Sequence, residues 1–321
     1  MNLYWIVAKE EYSNVAEIEL AYAEYTREFG KRDIAFRFIA LEDCIVSSYP
    51  DGKLALLHQN QLLDESTAAF IISPANLNPQ ARAVSSTLRY FLRVRRACLL
   101  NGGIVGIETL EWDKIGQMTL AAKAGAPVLP FTMLGYHRQV IPAIERFIGN
   151  HSGEYIFKPT GTGMGFGVIK SVSSQHAIST GNLISASSVE YFMMPFLADA
   201  CDVRFFFIAQ RLAFVKFRKP RGQGYIGNVA LGGEQTILTE QAFLADYGHL
   251  PYFAKMLQLS RDIMAQAGSA VLSVDWLMNN DGFYFNEMAT AETGLTKLPE
   301  EIRAFVFDQL ARIIHDNHAC E

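Results

Sequence analysis

The chain opens on a short apolar run, Leu3–Val7, followed by apolar residues recurring at helical spacing. Val15, Ile18, Tyr22, Tyr25 and Phe29 line one face of a predicted helix, which Asn14 caps, with Glu17 in the capping-box position, and which Gly30 ends. The next apolar run, Ile34–Ile39, reads as a strand. Phe70-Ile71-Ile72 and Ile104-Val105-Gly106 are further buried strands, separated by a long helix from about Arg82 to Leu100 that stops at Asn101-Gly102-Gly103. This alternation of strand and helix predicts a parallel sheet covered by helices over residues 1–110.

From Trp112 the pattern changes. A helix over about Asp113–Ala124 is ended by Gly125, and Ala126–Phe131 runs out extended. A glycine-rich hairpin follows at 155–172, and the polar stretch Gln175–Ser188 predicts a helix and loop. Beyond it strands dominate: Val189–Met194, Val203–Ala209, Leu212–Phe217, Ala270–Leu277 and Phe283–Glu287. Helices at about Tyr252–Ala267 and Glu300–His315 cover them. The changes in pattern divide the chain into units of 1–110, 111–187 and 188–321, the first of α/β character.

Composition adds exclusions. Half of the 321 residues are hydrophobic and 19% are charged, which suits well-buried cores and argues against disorder. A net charge of −5 gives no reason to expect nucleic acid or an anionic membrane as partner. The four cysteines, Cys44, Cys98, Cys201 and Cys320, form no CxxC pair or zinc spacing. Neither a signal peptide nor a run of transmembrane length is visible, so a cytoplasmic location is expected.

The candidate chemistry begins at Tyr155-Ile156-Phe157-Lys158-Pro159, an apolar strand ending in a lysine. Gly161, Gly163, Gly165 and Gly167 follow, with Thr162 and Met164 between them, before Val168–Val172 resumes as a strand. Little side-chain bulk and access to positive φ let such a backbone close over phosphate oxygens beside the lysine charge. Glycines at alternate positions also make ordinary hairpin turns. Walker A is excluded because the lysine precedes the glycines, and the dinucleotide fingerprint because a strand follows where it needs a helix. The arrangement reads as a flap over a nucleotide.

Two acids stand on successive strands, Asp275 in Val274-Asp275-Trp276 and Glu287 in Phe285-Asn286-Glu287-Met288, with Asp281-Gly282 as the turn between them. A hairpin there sets the two carboxylates opposite or nearly so, where they repel unless a cation lies between. Mg²⁺ bound to triphosphate is one solution, and strand-end acids facing solvent are another. Asp202 and Arg204 share a face of one strand, and Arg218 lies on its neighbour. An ion pair such as Arg204–Asp202 is one account of them, and a guanidinium fork for phosphoryl or carboxylate groups is the other. A second glycine-rich loop would bring Asn228 within reach of the same site.

Together these segments resemble the ATP-grasp superfamily, most closely its RimK-like carboxylate–amine ligase branch. Asp113-Lys114 and Ala121–Val128 are similar to the "DK…ARAGIPVP" segment, and Lys158–Val168 to the "KP…GxGV" flap. Asp202-Val203-Arg204 matches "DIR", and Arg218 with Asn228–Gly233 matches "R…NLHRGG". Asp275 and Glu287 keep the family's twelve-residue separation. The resemblance implies an ATP-grasp fold of two α+β subdomains behind a parallel-sheet α/β domain. It also implies a ligase that joins a carboxylate to an amine through an acyl phosphate, using ATP and one or two Mg²⁺, with Mn²⁺ as a substitute. Lys114 and Lys158 would hold phosphates, and Gly161, Thr162, Gly163, Met164 and Gly165 would lie in the lid. Met194, Pro195, Phe196 and Leu197 would receive adenine, and Asp202 the ribose. Arg204, Arg218 and Asn228 would act on the reacting groups, and Asp275 and Glu287 would bind metal. Expected partners are a small-molecule carboxylate and an amine or short peptide, with homo-oligomer formation left open.

The chain departs from the family at three places. Ala289 stands where E-x-N supplies a metal ligand, leaving Thr290, Asn286 or Glu292 to replace it. Met193-Met194-Pro195-Phe196 replaces an acidic or Gln-Glu linker, and Tyr225-Ile226-Gly227-Asn228 replaces "FRSN". These departures keep open an ATP-binding pseudo-ligase with a regulatory or scaffold role, and a small-molecule kinase on the same fold.

Overall fold

The structure is a computed structural model and describes residues 1–8, 15–73, 78–102, 113–163, 165–219, 234–290 and 294–318. The N-terminal part is built on the strands β1 (Asn2–Val7), β2 (Ala35–Ala40), β6 (Ala68–Ile72) and β7 (Cys98–Leu99), in the order β2-β1-β6-β7, all parallel. The helix α1 (Val15–Gly30) crosses from β1 to β2. Its Tyr22, Tyr25 and Phe29 pack around Trp5 and Phe36, with Trp5 edge-on to Tyr25 at 4.8 Å. Asn14 lies outside the described residues, and so does the predicted strand at Ile104–Gly106.

Two features of this part differ from the pattern-based expectation. The long helix, α2, runs over Pro79–Val94 rather than 82–100. Asn78 accepts from the amides of Gln80 and Ala81 and so caps it, Pro79 suits the first turn, and the chain after Arg95 re-extends as β7. Between β2 and β6 the chain forms an antiparallel meander, β3 (Cys44–Ser48), β4 (Leu54–His58) and β5 (Gln61–Leu63).

A second sheet has the order β10-β9-β11-β8, from β8 (Thr132–Met133), β9 (Tyr155–Pro159), β10 (Ile169–Ser171) and β11 (Tyr191–Pro195). The helices α4 (Val140–Asn150) and α5 (Ser174–Ser185) cover it, burying Val140, Ile144, Phe147, Tyr155 and Phe157 in one small core. The first of these helices was not predicted. The strand predicted at Val189–Met194 belongs here and not with those that follow it, because β11 pairs with β9 and β8.

The third sheet, β14-β13-β12-β15-β16, is antiparallel and comprises β12 (Cys201–Ile208), β13 (Arg211–Lys219), β14 (Glu234–Leu238), β15 (Val271–Met278) and β16 (Phe283–Ala289). Strand alternation gives its two faces different work. Val203, Phe205, Phe207, Val274 and Trp276 enter a core with α6 (Glu240–Tyr247), α7 (Pro251–Ala267) and α3 (Lys114–Lys123). On the other face Phe206, Ile208 and Phe214 join α8 (Glu300–His318) and the N-terminal aromatic cluster in one core. Further along that same face the apolar residues give way to Asp202, Arg204, Lys216, Arg218 and Asp275.

Candidate active site

The charged part of the third sheet is set by register. Asp202 lies opposite Arg218, Arg204 opposite both Lys216 and Asp275, and Asp275 opposite Glu287. The hairpin reading of Asp275 and Glu287 is therefore met by direct pairing. Among the described residues the short ion pairs run across strands, where an Arg204–Asp202 pair within one strand was one of the two expected accounts. Arg204 grips Asp275 with both ends of its fork, Nε to Oδ1 and Nη2 to Oδ2 at 2.7 Å each. Arg218 Nη2 donates to Asp275 Oδ2 at 2.6 Å and to Asp202 Oδ1 at 2.7 Å.

Asp275 is fully buried, which alone would push its pKa up, but Arg204 and Arg218 together hold it below the usual carboxylate range. Burial pushes Asp202 up to about 6. Arg218 opposes this but is shared with Asp275, whose charge adds to the rise. The repulsion expected between the acids is thus answered at Asp275 by two guanidinium groups.

Glu287 is reached from elsewhere. A bulge interrupts the pairing of β15 with β16: Asp275 faces Glu287 while Trp276 faces Phe285, leaving Asn286 as an extra residue. Phe285 and Met288 both enter the core beneath, three positions apart where a regular strand has two. Asn286 and Glu287 consequently share the open face. Lys158, at the end of β9 in the second sheet, donates from Nζ to Asn286 Oδ1 at 2.8 Å. Lys114, at the start of α3, lies 3.6 Å from Glu287 Oε2 and donates to the carbonyl of Thr162 in the glycine loop.

Supporting contacts fix this corner. Asp113 caps α3 by accepting from the amide of Ile115, and Lys114 N–H donates to Thr160 O at 3.2 Å. Gln117, which the sequence reading did not single out, is buried and accepts from the amide of Met288 at 3.0 Å. Phe285 N–H donates to Pro127 O at 2.8 Å. Burial lowers Lys158 to about 8. Glu287 opposes the shift, nearby Lys114 adds to it, and Asp202 opposes it.

The glycine loop folds back over this corner. Gly165 and Gly167 take positive φ, Phe166 N–H donates to Gly163 O, and Thr162 Oγ1 donates to Phe166 O at 2.9 Å. Gly161 begins the loop, and Met164 lies outside the described residues. In the linker, Met194 is buried on β11 and Phe196 N–H donates to Glu154 O at 2.8 Å. Lys170 Nζ sits 3.8 Å from the centre of the Phe196 ring. Pro195 has no N–H to offer, and Leu197 packs on the core. Asn228 and Glu292 lie outside the described residues, and Thr290 is buried.

Three sheets in this order, with the second closing its glycine hairpin against the charged face of the third, form a recognisable architecture. No family model matches the sequence, and no curated protein matches it. Solved structures do. The VanG D-Ala:D-Ser ligase from Enterococcus faecalis matches with a TM-score of 0.70 at 15% identity, covering 99% of each chain. The chain has the ATP-grasp fold. A RimK domain protein of ATP-grasp type from Sphaerobacter thermophilus gives 0.61 at 13% identity, over 97% of this chain and 99% of the other. The ATP-grasp ligase PsnB, complexed with a phosphomimetic variant of a minimal precursor, Mg and ADP, gives 0.64 at 12%, over 98% of each. In ATP-grasp terms the second sheet is the lid subdomain and the third the base.

The residues also bear on a divalent cation. Among the described residues no three or more His, Cys, Asp or Glu side chains cluster as a metal cage. The donors on the open face are oxygens, the Glu287 carboxylate and the Asn286 amide, since Asp275 is fully buried and both its oxygens already accept from arginines. They fit a hard cation that completes its shell with phosphate and water. Lys114, Lys158, Arg204, Lys216 and Arg218 exceed Asp202, Asp275 and Glu287 by two positive charges, a surplus suited to a magnesium-bound triphosphate.

Proposed function

We propose that the protein is an ATP-dependent carboxylate–amine ligase of RimK-like type that forms an acyl phosphate and releases ADP. The observation that carries this is the convergence of Lys158 from the lid and Lys114 from the base on the Asn286–Glu287 corner beneath the glycine loop. Two ammonium groups so placed suit the phosphates of a nucleotide held between lid and base. The resemblance of the sequence motifs to carboxylate–amine ligases supports the reaction class, and the D-Ala:D-Ser ligase among the structural neighbours makes an amino acid or short peptide the favoured substrate.

In this reading Lys114 and Lys158 orient the β- and γ-phosphates, and Arg204 and Arg218 present donors to the carboxylate that attacks the γ-phosphate. Asp202 faces the ribose, Met194–Leu197 the adenine, and Asn228 the reacting groups. Glu287, with Asp275 behind it, would hold Mg²⁺, which supplies charge neutralisation for the transferring phosphoryl group when bound. The lid excludes water, so that an amine and not solvent displaces phosphate. The chain itself does little covalent work; it positions and neutralises.

The test is an ADP-release screen over amino acids and short peptides with hydroxylamine added. A hydroxamate from an accepted acid marks an acyl phosphate and supports the ligase. Phosphate transferred to a hydroxyl group without hydroxamate points to a kinase. ATP binding with no ADP released, the outcome that Ala289 makes worth examining, points to a protein that has lost catalysis. Lys158→Ala is expected to cut turnover on the order of a hundredfold, as for loss of one preorganised electrostatic contact.

A further inference from the structure

The geometry points to Asn286 as a cation ligand that takes the place of the side-chain oxygen Ala289 lacks. The inference rests on the nucleotide-dependent reading above. Ala289 pairs with Ser273 on the open face of β16, and its carbonyl accepts from Ser273 Oγ at 3.3 Å, so its own side chain brings no donor to the site. Asp275 is engaged by two arginines. Among the described residues Glu287 alone would then be a sparse contribution for a divalent cation, which takes one or two protein carboxylates beside phosphate and water.

The bulge supplies the second oxygen. It lets Asn286 and its immediate neighbour Glu287 lie on one face, where regular alternation would send them to opposite faces. The amide oxygen is a hard donor, and it already has a cation against it, the Lys158 ammonium at 2.8 Å. When phosphates enter, Lys158 has a stronger, anionic acceptor to turn to, and Asn286 Oδ1 passes from ammonium to metal ion. One oxygen thereby serves the lysine before nucleotide binds and the metal afterwards. An apolar residue at 286 would leave the cation one ligand short.

The experiment measures Mn²⁺ binding to the full chain with saturating ADP, by the electron paramagnetic resonance signal of free Mn²⁺. Asn286→Ala is expected to weaken Mn²⁺ binding by roughly tenfold or more. Adding Ala289→Asn to that variant should restore most of the loss, because the oxygen returns from the neighbouring position on the same face. ADP affinity measured in chelator should hold or tighten in Asn286→Ala, since Lys158 is released. Asn286→Asp, similar in size, should bind Mn²⁺ more tightly than the unmodified chain. Unchanged Mn²⁺ affinity in Asn286→Ala, no rescue by Ala289→Asn, or no gain in Asn286→Asp would each overturn the assignment of Asn286. An unmodified chain that binds neither ADP nor Mn²⁺ with ADP would instead overturn the nucleotide reading itself.

Discussion

Raising pH should remove nucleotide affinity through one group. Lys158 is half-buried where lid meets base, and desolvation there is the chief cause that brings its pKa to about 8, below the ordinary lysine value. A phosphate oxygen beside the ammonium restores the charged form, so binding raises the pKa and takes up a proton. The sign follows: affinity from this contact is fully present below about 8 and is lost as pH rises through it. At pH 7 the free side chain is roughly nine-tenths protonated, and at pH 9 roughly one-tenth. If only the ammonium form binds, the association constant falls about tenfold between those values, about 1.4 kcal/mol. Calorimetric titration of ADP with Mg²⁺ at pH 9, in two buffers of different ionisation enthalpy, should register uptake of about 0.9 proton. Phosphate groups are already ionised there and contribute little. Lys158→Arg remains charged throughout and should abolish both the uptake and the pH slope. No proton uptake by the unmodified chain, or an equal slope in Lys158→Arg, would refute the reasoning.

Three further outcomes follow from the packing. Asp275→Asn leaves two buried guanidinium groups without their shared anion and should cost about 3–5 kcal/mol, read as a drop of several degrees in thermal melting. Because the native pKa of Asp275 is lowered, the unmodified chain keeps this contribution above the ordinary aspartate value and loses it as pH falls through the native one, so the gap between the two proteins should narrow in acid. Phe206→Ala removes a buried ring stacked at 4.8 Å on Phe214, between the third sheet and α8, and should cost about 3–5 kcal/mol in denaturant titration. Gly167→Ala introduces a Cβ 2.8 Å from Pro159 Cγ at a φ of +72°. It should weaken ADP binding severalfold through the displaced lid while leaving the melting temperature nearly unchanged.

The parallel sheet was legible because its strands are near-continuous apolar runs with amphipathic helices between them. The meander at 44–63 was not foreseen, although Pro50-Asp51-Gly52 and Asn60, which takes a positive φ in the second turn, mark its turns. Ile141, Ile144 and Ile148 carry a helical period that foreshadows α4. The ion pairs were not legible in the same way. Asp202 and Arg204 are neighbours in sequence, but the order β13-β12-β15 gives each a different partner across the strands. The bulge at Asn286 left one sequence trace, the spacing of three between Phe285 and Met288. Its meaning depended on knowing that both residues enter one core.

The two lysine contacts run in opposite senses across the cleft. Lys158 is rooted in the lid and bonds to the base, while Lys114 is rooted in the base and bonds to the lid. They act as a pair of crossed clasps, so separating the subdomains breaks both at once. The same two ammonium groups are the ones a triphosphate would need. If the proposed function holds, nucleotide would arrive during an opening in which both clasps are released. Association would then be timed by the clasps, and the arriving anion would inherit a closed conformation that the empty protein already knows how to hold.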